Sequence, residues 1–221
     1  TRIRVAEALG EMPPEEAWPF FSLILAEPQR TGGGLLRAAA LRGMGRSGHP
    51  KAVGLLVFYL LNDPNRSVRV AAGDALAEMD DEEARFALIR ALTEGEPDTE
   101  RRARLVDVLG RMPGDTVTEV LRAYLEDEDR TVADIAALRL AEHNVGATVP
   151  YLIAIVRGKL PAMAQAAVTA LENISCVRYD VASHEVLAAQ YERWYQQARI
   201  TSAGEPDRAW FRDALRKRGY D

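Results

Sequence analysis

The stretch that decides the fold is residues 63–92, which read DPNRSVRVAAGDALAEMDDEEARFALIRAL. It contains an Asp-Pro turn, an alanine-rich segment that includes Leu76, a short polar break, and a second apolar segment that ends at Leu92. Proline stops a preceding helix and favours a turn, and small alanines let paired helices approach closely. The stretch therefore predicts a hairpin of two helices joined by a short loop.

The leucine of this segment recurs along the chain at intervals of 32, 35, 33, 31 and 31 residues, at Leu9, Leu41, Leu76, Leu109, Leu140 and Leu171. In the first four copies a methionine follows three residues later. A period of this size describes one helix hairpin that cannot bury its apolar face alone, so neighbouring hairpins must stack. The sequence predicts an all-α fold, an α-α superhelix built as a solenoid of about five to six helix hairpins.

The repeat also sets the expected element boundaries. Units are predicted at 1–28, 29–64, 65–97, 98–129 and 130–161, followed by a sixth first helix over 162–174. The second helices of the units are predicted at 17–25, 52–60, 84–92, 117–125 and 148–156. The run Gly32-Gly33-Gly34 is interpreted as an inter-unit loop or as a hinge.

The third hairpin resembles the HEAT repeat, in the short bacterial variety named after phycobilisome lyases. The resemblance is carried by the Asp63-Pro64 turn, the Val68-Arg69 pair, the Ala71-Ala72 pair and the Ala75-Leu76 pair, and the arginine recurs at Arg2 and Arg102. It covers residues 1–175, which are expected to form a HEAT-like repeat domain.

The pattern changes after Ile174. Residues 183–198 are predicted to form a helix with one apolar stripe at Leu187, Tyr191, Trp194 and Tyr195, and a second helix is predicted over 206–218. Because an open solenoid end exposes a core face, residues 176–221 are predicted to be a C-terminal cap of aromatic helices packed on the last repeat. An aromatic ligand pocket is the alternative interpretation.

Composition excludes several classes of protein. No apolar run approaches the ~18 residues that a membrane helix needs, and the single cysteine, Cys176, excludes an internal disulfide framework. A cytoplasmic location is expected. The chain begins at Thr1 with neither an initiator methionine nor a leader pattern, so it is expected to be an excised or processed piece.

The charge is unevenly placed. The net charge of -5 argues against a general nucleic-acid binder. Residues 28–62 contain five basic residues and no acid, whereas residues 78–100 are rich in acids. The sequence predicts two solvated faces of opposite sign.

Motifs for chemistry are missing from the sequence. His49, His143 and His184 lack the spacing of a zinc pair, and no serine lies in a glycine-flanked elbow. Residues 43–48, GMGRSG, superficially resemble a phosphate loop but follow a helix and lack the Gly-Lys-Ser/Thr ending, so they are interpreted as an inter-helix turn. We therefore expect no catalytic residue, no metal site, no cofactor and no enzymatic activity. Some HEAT-repeat enzymes bind two irons through repeated His-Glu pairs, but His184-Glu185 is the only such pair here and lies outside the repeats.

The second helices carry the candidate binding surface. In HEAT-like arrays they line the concave side, and helical geometry directs the first, second, fifth and ninth places of each toward the core and the third and seventh outward. The outward places include the candidate partner-binding residues Leu23, Phe58, Phe86, Arg90 and Glu119. Exposed apolar patches mark interaction sites. The alternative is a register that slips by one residue and places these aromatic residues in the core.

The function predicted from this surface is a non-catalytic scaffold that binds a partner protein or peptide, in an oligomeric state left open. Two alternatives come from the resemblance. Similar solenoids include alkylpurine DNA glycosylases, for which Trp18 and Glu119 are candidates, although the predicted groove is nearly neutral and phosphate contacts need several basic residues. The other alternative is a bilin lyase or chromophore chaperone with Trp18, Tyr59 and Tyr124 around a tetrapyrrole.

Overall fold

The structure is a computed structural model that describes residues 2–26, 33–79, 81–143, 148–158, 161–175, 177–181 and 183–198. Within these ranges every regular element is a helix, which confirms the all-α fold. The helices are α1 (Arg2–Ala8), α2 (Pro14–Ala26), α3 (Gly33–Ser47), α4 (Ala52–Asn62), α5 (Arg66–Glu78), α6 (Glu82–Thr93), α7 (Thr99–Leu109), α8 (Asp115–Ala123), α9 (Arg130–Glu142), α10 (Val149–Arg157), α11 (Pro161–Ser175) and α12 (His184–Gln197), with short 3-10 turns at Leu9–Glu11 and Tyr124–Glu126. None of the helices in these ranges is long and apolar enough to cross a membrane.

The chain divides into two compact units, Thr1–Val117 and Thr118–Asp221. In the first unit the first helices of successive hairpins pack in chain order, α1 on α3, α3 on α5 and α5 on α7, while α4 packs on α5 and α6. In the second unit α9, α10 and α11 pack on one another and α12 packs on α10. Within each unit the helices of successive hairpins thus bury their apolar sides against one another, as the repeat period requires.

The repeated leucine is the centre of the core. Leu41, Leu76, Leu109, Leu140 and Leu171 are all 0% exposed and Leu9 is 7% exposed. Burying such a side chain contributes about 1.5–3 kcal/mol, so the residues that form the period in the sequence stabilise the core of the fold. Of the methionines that follow these leucines, Met44 and Met112 are also fully buried.

Residues 43–47 belong to helix α3, so the prediction of an inter-helix turn over 43–48 was wrong except at its last residue. Gly43 is buried where α3 meets α1, and a Cβ there would lie 2.5 Å from the backbone oxygen of Ala6 and 3.0 Å from the Phe21 ring. Gly45 likewise faces Ala75 of α5. These glycines let helices approach closely, and only Gly48, with a φ of 65°, makes the turn.

The Gly32-Gly33-Gly34 run is only partly described. Gly33 begins α3, and Gly34 lies within that helix beside the Asn65 side chain, so these two residues are helical rather than part of a loop or hinge. Gly32 lies outside the described residues.

Three turns between successive hairpins share the same pattern of capping hydrogen bonds. The side chain of an acidic residue accepts the backbone N–H of the helix-capping residue two positions later, for Asp63 and Asn65, Glu96 and Asp98, and Asp127 and Asp129. The cap then accepts a backbone N–H of the first helical turn, from Ser67, Arg101 and Thr131 respectively. Each cap satisfies a donor that the helix end would leave unpaired. At Asp98 the Arg101 backbone N–H holds the pKa of the carboxyl below its usual value.

The repeated arginine, Arg69 or Arg102, stabilises two of the same turns by hydrogen bonds to their backbone oxygens. Arg69 donates to the backbone oxygens of Asp63 and Pro64, at 2.8 and 3.1 Å. Arg102 makes the equivalent bonds to Glu96 and Pro97, at 3.0 and 3.4 Å. The repeated arginine is therefore a structural residue that binds the preceding turn.

A buried ion pair ties α3 to the end of α4. Arg37 Nε and Nη2 donate to the two carboxylate oxygens of Asp63 at 3.1 and 3.2 Å, and both residues are 6% exposed. The pair is bidentate, the geometry in which arginine binds carboxylates most strongly.

Helix α12 buries the stripe predicted for it. Leu187, Tyr191 and Trp194 are buried and Tyr195 packs partly against the same cluster, while the Tyr191 hydroxyl donates to the Val177 backbone oxygen at 3.0 Å. Burial raises the pKa of the Tyr191 phenol, so it remains a hydrogen-bond donor. The predicted helix over 206–218 lies outside the described residues, so the C-terminal cap stays a prediction.

Candidate partner-binding face

Helix α4 shows most clearly which side of the second helices faces out. Its apolar places Ala52, Val53, Leu56 and Leu60 are at most 3% exposed. Phe58, at the seventh place, is 54% exposed. This is the spacing of a helix that buries one side and leaves a large aromatic ring on the other.

Helix α2 has the same orientation and exposes two large apolar side chains. Ala17 and Phe21 are fully buried, whereas Leu23 is 68% exposed and Phe20 is 51% exposed. Phe20 was missed by sequence reasoning, which considered only the third and seventh places. It occupies the fourth place of the helix, next to the outward third place. The only signal in the sequence was a large aromatic residue directly after Pro19.

Helix α6 exposes the remaining large ring. Ala84, Leu88 and Leu92 are buried, and Phe86 is 60% exposed. Arg90, one turn later, is exposed and lies 3.8 Å from the Glu94 carboxylate. Across the three helices, the exposure of the predicted outward residues Leu23, Phe58 and Phe86 excludes the alternative register in which they are core residues.

Contacts at both ends hold α2 beside α4. The Trp18 ring stacks on His49, just before α4, with centroids 4.1 Å apart and planes 18° apart. At the other end the Tyr59 hydroxyl lies 3.5 Å from the Leu25 backbone oxygen. Burial and the nearby Asp63 carboxylate raise the pKa of Tyr59, which keeps the phenol protonated as a donor.

The Trp18 and Tyr59 contacts join α2 to α4 and to the turn before it, and α4 packs on α6, so the three second helices of the first unit follow one another in space. We call their exposed surface the second-helix face, defined by Phe20 and Leu23 of α2, Gly54 and Phe58 of α4, and Phe86 of α6. Gly54 is the one small residue of the set, and a Cβ built on it would have nothing within 4 Å.

Charges border this face unequally. The first turns of α2 and α6 present the exposed acids Glu15, Glu16, Glu82 and Glu83. The first turn of α4 has no acid and is preceded by the exposed Lys51. The N-terminal border of the face is therefore acidic on both flanks.

The predicted basic face is wrong at Arg37, which is buried, whereas Arg46 and Lys51 are exposed as expected. Within residues 28–62, Arg37 is buried against Asp63, Arg42 lies 3.8 Å from Glu7, and Arg46 donates to the Glu7 backbone oxygen at 2.8 Å. These arginines bind their own fold because α3 lies between α1 and α5, a tertiary placement that residue counts do not reveal.

The predicted Glu119 lies on α8 in the second unit and is exposed. Other outward places of the second unit hold the exposed small residues Ala123, Pro150 and Ala154. The second unit therefore presents no large apolar ring at its described outward places on α8 and α10. Glu119 stays a prediction as a binding residue.

The residues considered for chemistry mostly have structural contacts. Trp18 stacks on His49, whose Nδ1 accepts the Lys51 backbone N–H at 3.0 Å and whose Nε2 lies 3.6 Å from Glu15. His49 is 3% exposed, so this histidine is part of the core. In the described part of the chain no three histidine, cysteine, aspartate or glutamate side chains are grouped as metal ligands would be.

Comparison with known proteins agrees with this fold. Residues 34–110, from α3 to the residue after α7, match the family model for HEAT repeats. Together with the stacked hairpins and the buried leucine period, the match shows that this part of the chain consists of HEAT repeats. No curated protein sequence matches the chain.

Among solved structures, the chain is similar to the complex of CpcE and CpcF of phycocyanin lyase from Nostoc sp. PCC7120. The sequence identity is 22% and the TM-score 0.48, over 92% of this chain and 85% of that one. Neither value is high enough to carry an activity from that protein to this chain.

Proposed function

We propose that the chain is a non-catalytic interaction module that binds a partner protein or peptide on the second-helix face. The observation that carries this proposal is the set of large apolar side chains held outward on three neighbouring helices, at 51–68% exposure for Phe20, Leu23, Phe58 and Phe86. Single exposed apolar residues are ordinary on protein surfaces, but a set on adjacent elements is typical of interaction sites.

The construction of the face supports the same conclusion. Each ring projects from a helix whose opposite side is buried, so the rings are positioned before a partner arrives. Such a surface loses less conformational freedom on binding than a loop would. Aromatic anchors that become buried contribute most of the binding energy in protein interfaces.

The test is the double variant Phe58→Asp/Phe86→Asp. We expect its helical circular dichroism to be unchanged, because both side chains are exposed, and its capture of partners from the native lysate to be lost. Truncating one buried aromatic anchor typically costs ~2 kcal/mol or more of binding free energy, about thirtyfold in affinity. Mass spectrometry of the captured proteins identifies the partner, whose affinity for the wild type and the variant is then measured in purified form.

The matched control is Leu35→Asp/Val70→Asp. These residues are 61% and 50% exposed but lie on the first helices α3 and α5. The control should bind the purified partner as the wild type does. Equal loss in both double variants, or undiminished affinity of Phe58→Asp/Phe86→Asp, would argue against the proposed face.

A further inference from the structure

His49 lies in the turn that leads into α4, and its imidazole takes the place that an amide or a carboxylate has before other helices of this chain. Asn65, Asp81 and Asp129 each accept the backbone N–H of the residue two positions later, at 2.9, 2.9 and 2.8 Å. His49 Nδ1 accepts the Lys51 backbone N–H in the same way, at 3.0 Å. The imidazole is therefore the capping acceptor at the start of α4.

The backbone and the ring of His49 are both held in place. The Ala52 N–H, at the start of α4, donates to the His49 backbone oxygen at 2.8 Å, and the His49 N–H donates to Ser47 Oγ at 3.4 Å. The ring stacks on Trp18 of α2 and is buried. Because these contacts fix the orientation of the ring, Nδ1 stays directed at the Lys51 N–H.

The bond to Lys51 determines which protonation state of His49 fits this structure. A ring nitrogen that accepts a hydrogen bond carries no proton, so the neutral ring has its proton on Nε2. The imidazolium form is a donor at both nitrogens and has no acceptor. Protonation of His49 would therefore direct an N–H at the Lys51 N–H. An aspartate or asparagine cap, in contrast, remains an acceptor over the whole pH range in which histidine titrates.

We propose that His49 is a pH-sensitive cap of α4, whose protonation releases the turn from which that helix starts. The inference goes beyond the proposed function and rests on contacts within this chain alone. Because His49 is only 3% exposed, water cannot bind the donor that protonation creates at Nδ1. A positive charge at a helix N-terminus also opposes the helix dipole, which acts in the same direction.

Glu15 of α2 is the one charged side chain that the described residues place against the ring. Its Oε2 lies 3.6 Å from His49 Nε2, but the Glu15 side chain is 87% exposed, so water screens its attraction to an imidazolium. The nearest cations along the chain, Arg46 and Lys51, are exposed and would repel the imidazolium. The face of the Trp18 ring attracts cations, but it provides no acceptor for the proton on Nδ1.

The effect of pH has a definite sign. The bond to Lys51 is present while the imidazole is neutral, and it is lost as the pH falls through the histidine range, from about pH 8 to about pH 5. The unfolded chain has no cap to lose and binds the proton freely, so acidification favours unfolding. The ring also supports Trp18, so the loss of stability occurs where α2 contacts the turn before α4.

The test compares the 221-residue chain with its His49→Asn variant. Asparagine keeps an acceptor for the Lys51 N–H at any pH, as Asn65 does for the Ser67 N–H. Loss of a cap changes the equilibrium constant for unfolding about fivefold. On going from about pH 7.5 to about pH 5.5, we expect this constant to rise about fivefold more in the wild type than in His49→Asn. Urea unfolding followed by helical circular dichroism measures it.

Two further variants are controls. His184→Asn removes an exposed histidine at the start of α12 and should leave the acid response of the wild type unchanged. Glu15→Gln tests the opposite interpretation, in which an ion pair with Glu15 stabilises the protonated ring. We expect the acid response of Glu15→Gln to stay within about twofold of that of the wild type, because Glu15 is exposed. If acid stabilises the wild type but not Glu15→Gln, the ion pair dominates and the inference is wrong.

Nuclear magnetic resonance detects the switch directly. The ring nitrogens of His49 should show the Nε2–H tautomer at about pH 7.5, and the Lys51 amide proton should move upfield as His49 takes up its proton. An Nδ1–H tautomer, protonation of His49 without a change at the Lys51 amide, or equal acid responses of the wild type and His49→Asn would overturn the inference. None of these results depends on a partner, so the proposed function is tested separately.

Discussion

Replacing Asp63 by alanine is expected to lower the free energy of unfolding by about 3–5 kcal/mol, because the Arg37 guanidinium would remain buried without its counter-ion. The two side chains are 7% and 3% exposed, so solvent cannot replace the lost carboxylate. The substitution also removes the acceptor for the Asn65 backbone N–H, at 2.8 Å. The measurement is urea unfolding followed by helical circular dichroism.

The control is Glu94→Ala, which removes a pair of the same chemistry at the surface. Arg90 and Glu94 are 74% and 71% exposed, and such pairs contribute about 0.3–0.5 kcal/mol. A second control, Arg37→Met/Asp63→Leu, removes both charges and should recover most of the stability lost in Asp63→Ala. If Asp63→Ala and Glu94→Ala shift the unfolding midpoint equally, the buried Arg37–Asp63 pair contributes no more to the free energy of unfolding than a surface pair does.

Gly43→Ala is expected to destabilise the fold by about 1–3 kcal/mol, the usual cost of adding a group to a filled contact. The new methyl would lie 2.5 Å from the Ala6 backbone oxygen, so helix α1 would have to move away from α3. Backbone cannot yield by changing a rotamer as a flexible side chain does. Thermal or urea unfolding measures the loss.

Gly54→Ala is the matched substitution at an open site. It lies within α4 with nothing near the added methyl, and alanine is preferred over glycine in a helix by about 1 kcal/mol. We therefore expect the two alanine substitutions to change the free energy of unfolding in opposite directions. Gly43→Ala should lower it, and Gly54→Ala should raise it by about 0.5–1 kcal/mol. A stabilised Gly43→Ala protein would contradict the close approach of α1 and α3.

Much of the fold was predictable because the recurring leucine alone indicates both the hairpin length and the buried side of each first helix. The recurring leucine fixes which side of each first helix is buried, and the same frame extended to the second helices predicted that Leu23, Phe58 and Phe86 face out. Periodicity succeeds here because a repeated hairpin meets the same neighbours each time.

What sequence reasoning missed depends on contacts between distant residues. Local propensity suggests a turn for the glycines of 43–48, whereas tertiary packing uses Gly43 and Gly45 as close contacts inside a helix. Arg37 is paired with a carboxylate 26 residues away, so a count of charges along the chain assigned it to a solvated face. The outward position of Phe20 emerged only when the exposure of each side chain was known.

The hydrogen bonds around Asp63 connect three helices through one side chain. Its carboxylate binds Arg37 of α3 and the N–H of Asn65, whose side chain caps α5 at the Ser67 N–H. Opening any one of these segments would therefore release the other two. Amide hydrogens in the middle of α3 and in the first turns of α5 should exchange with deuterated water at similar rates, as one cooperative folding unit that spans a repeat boundary.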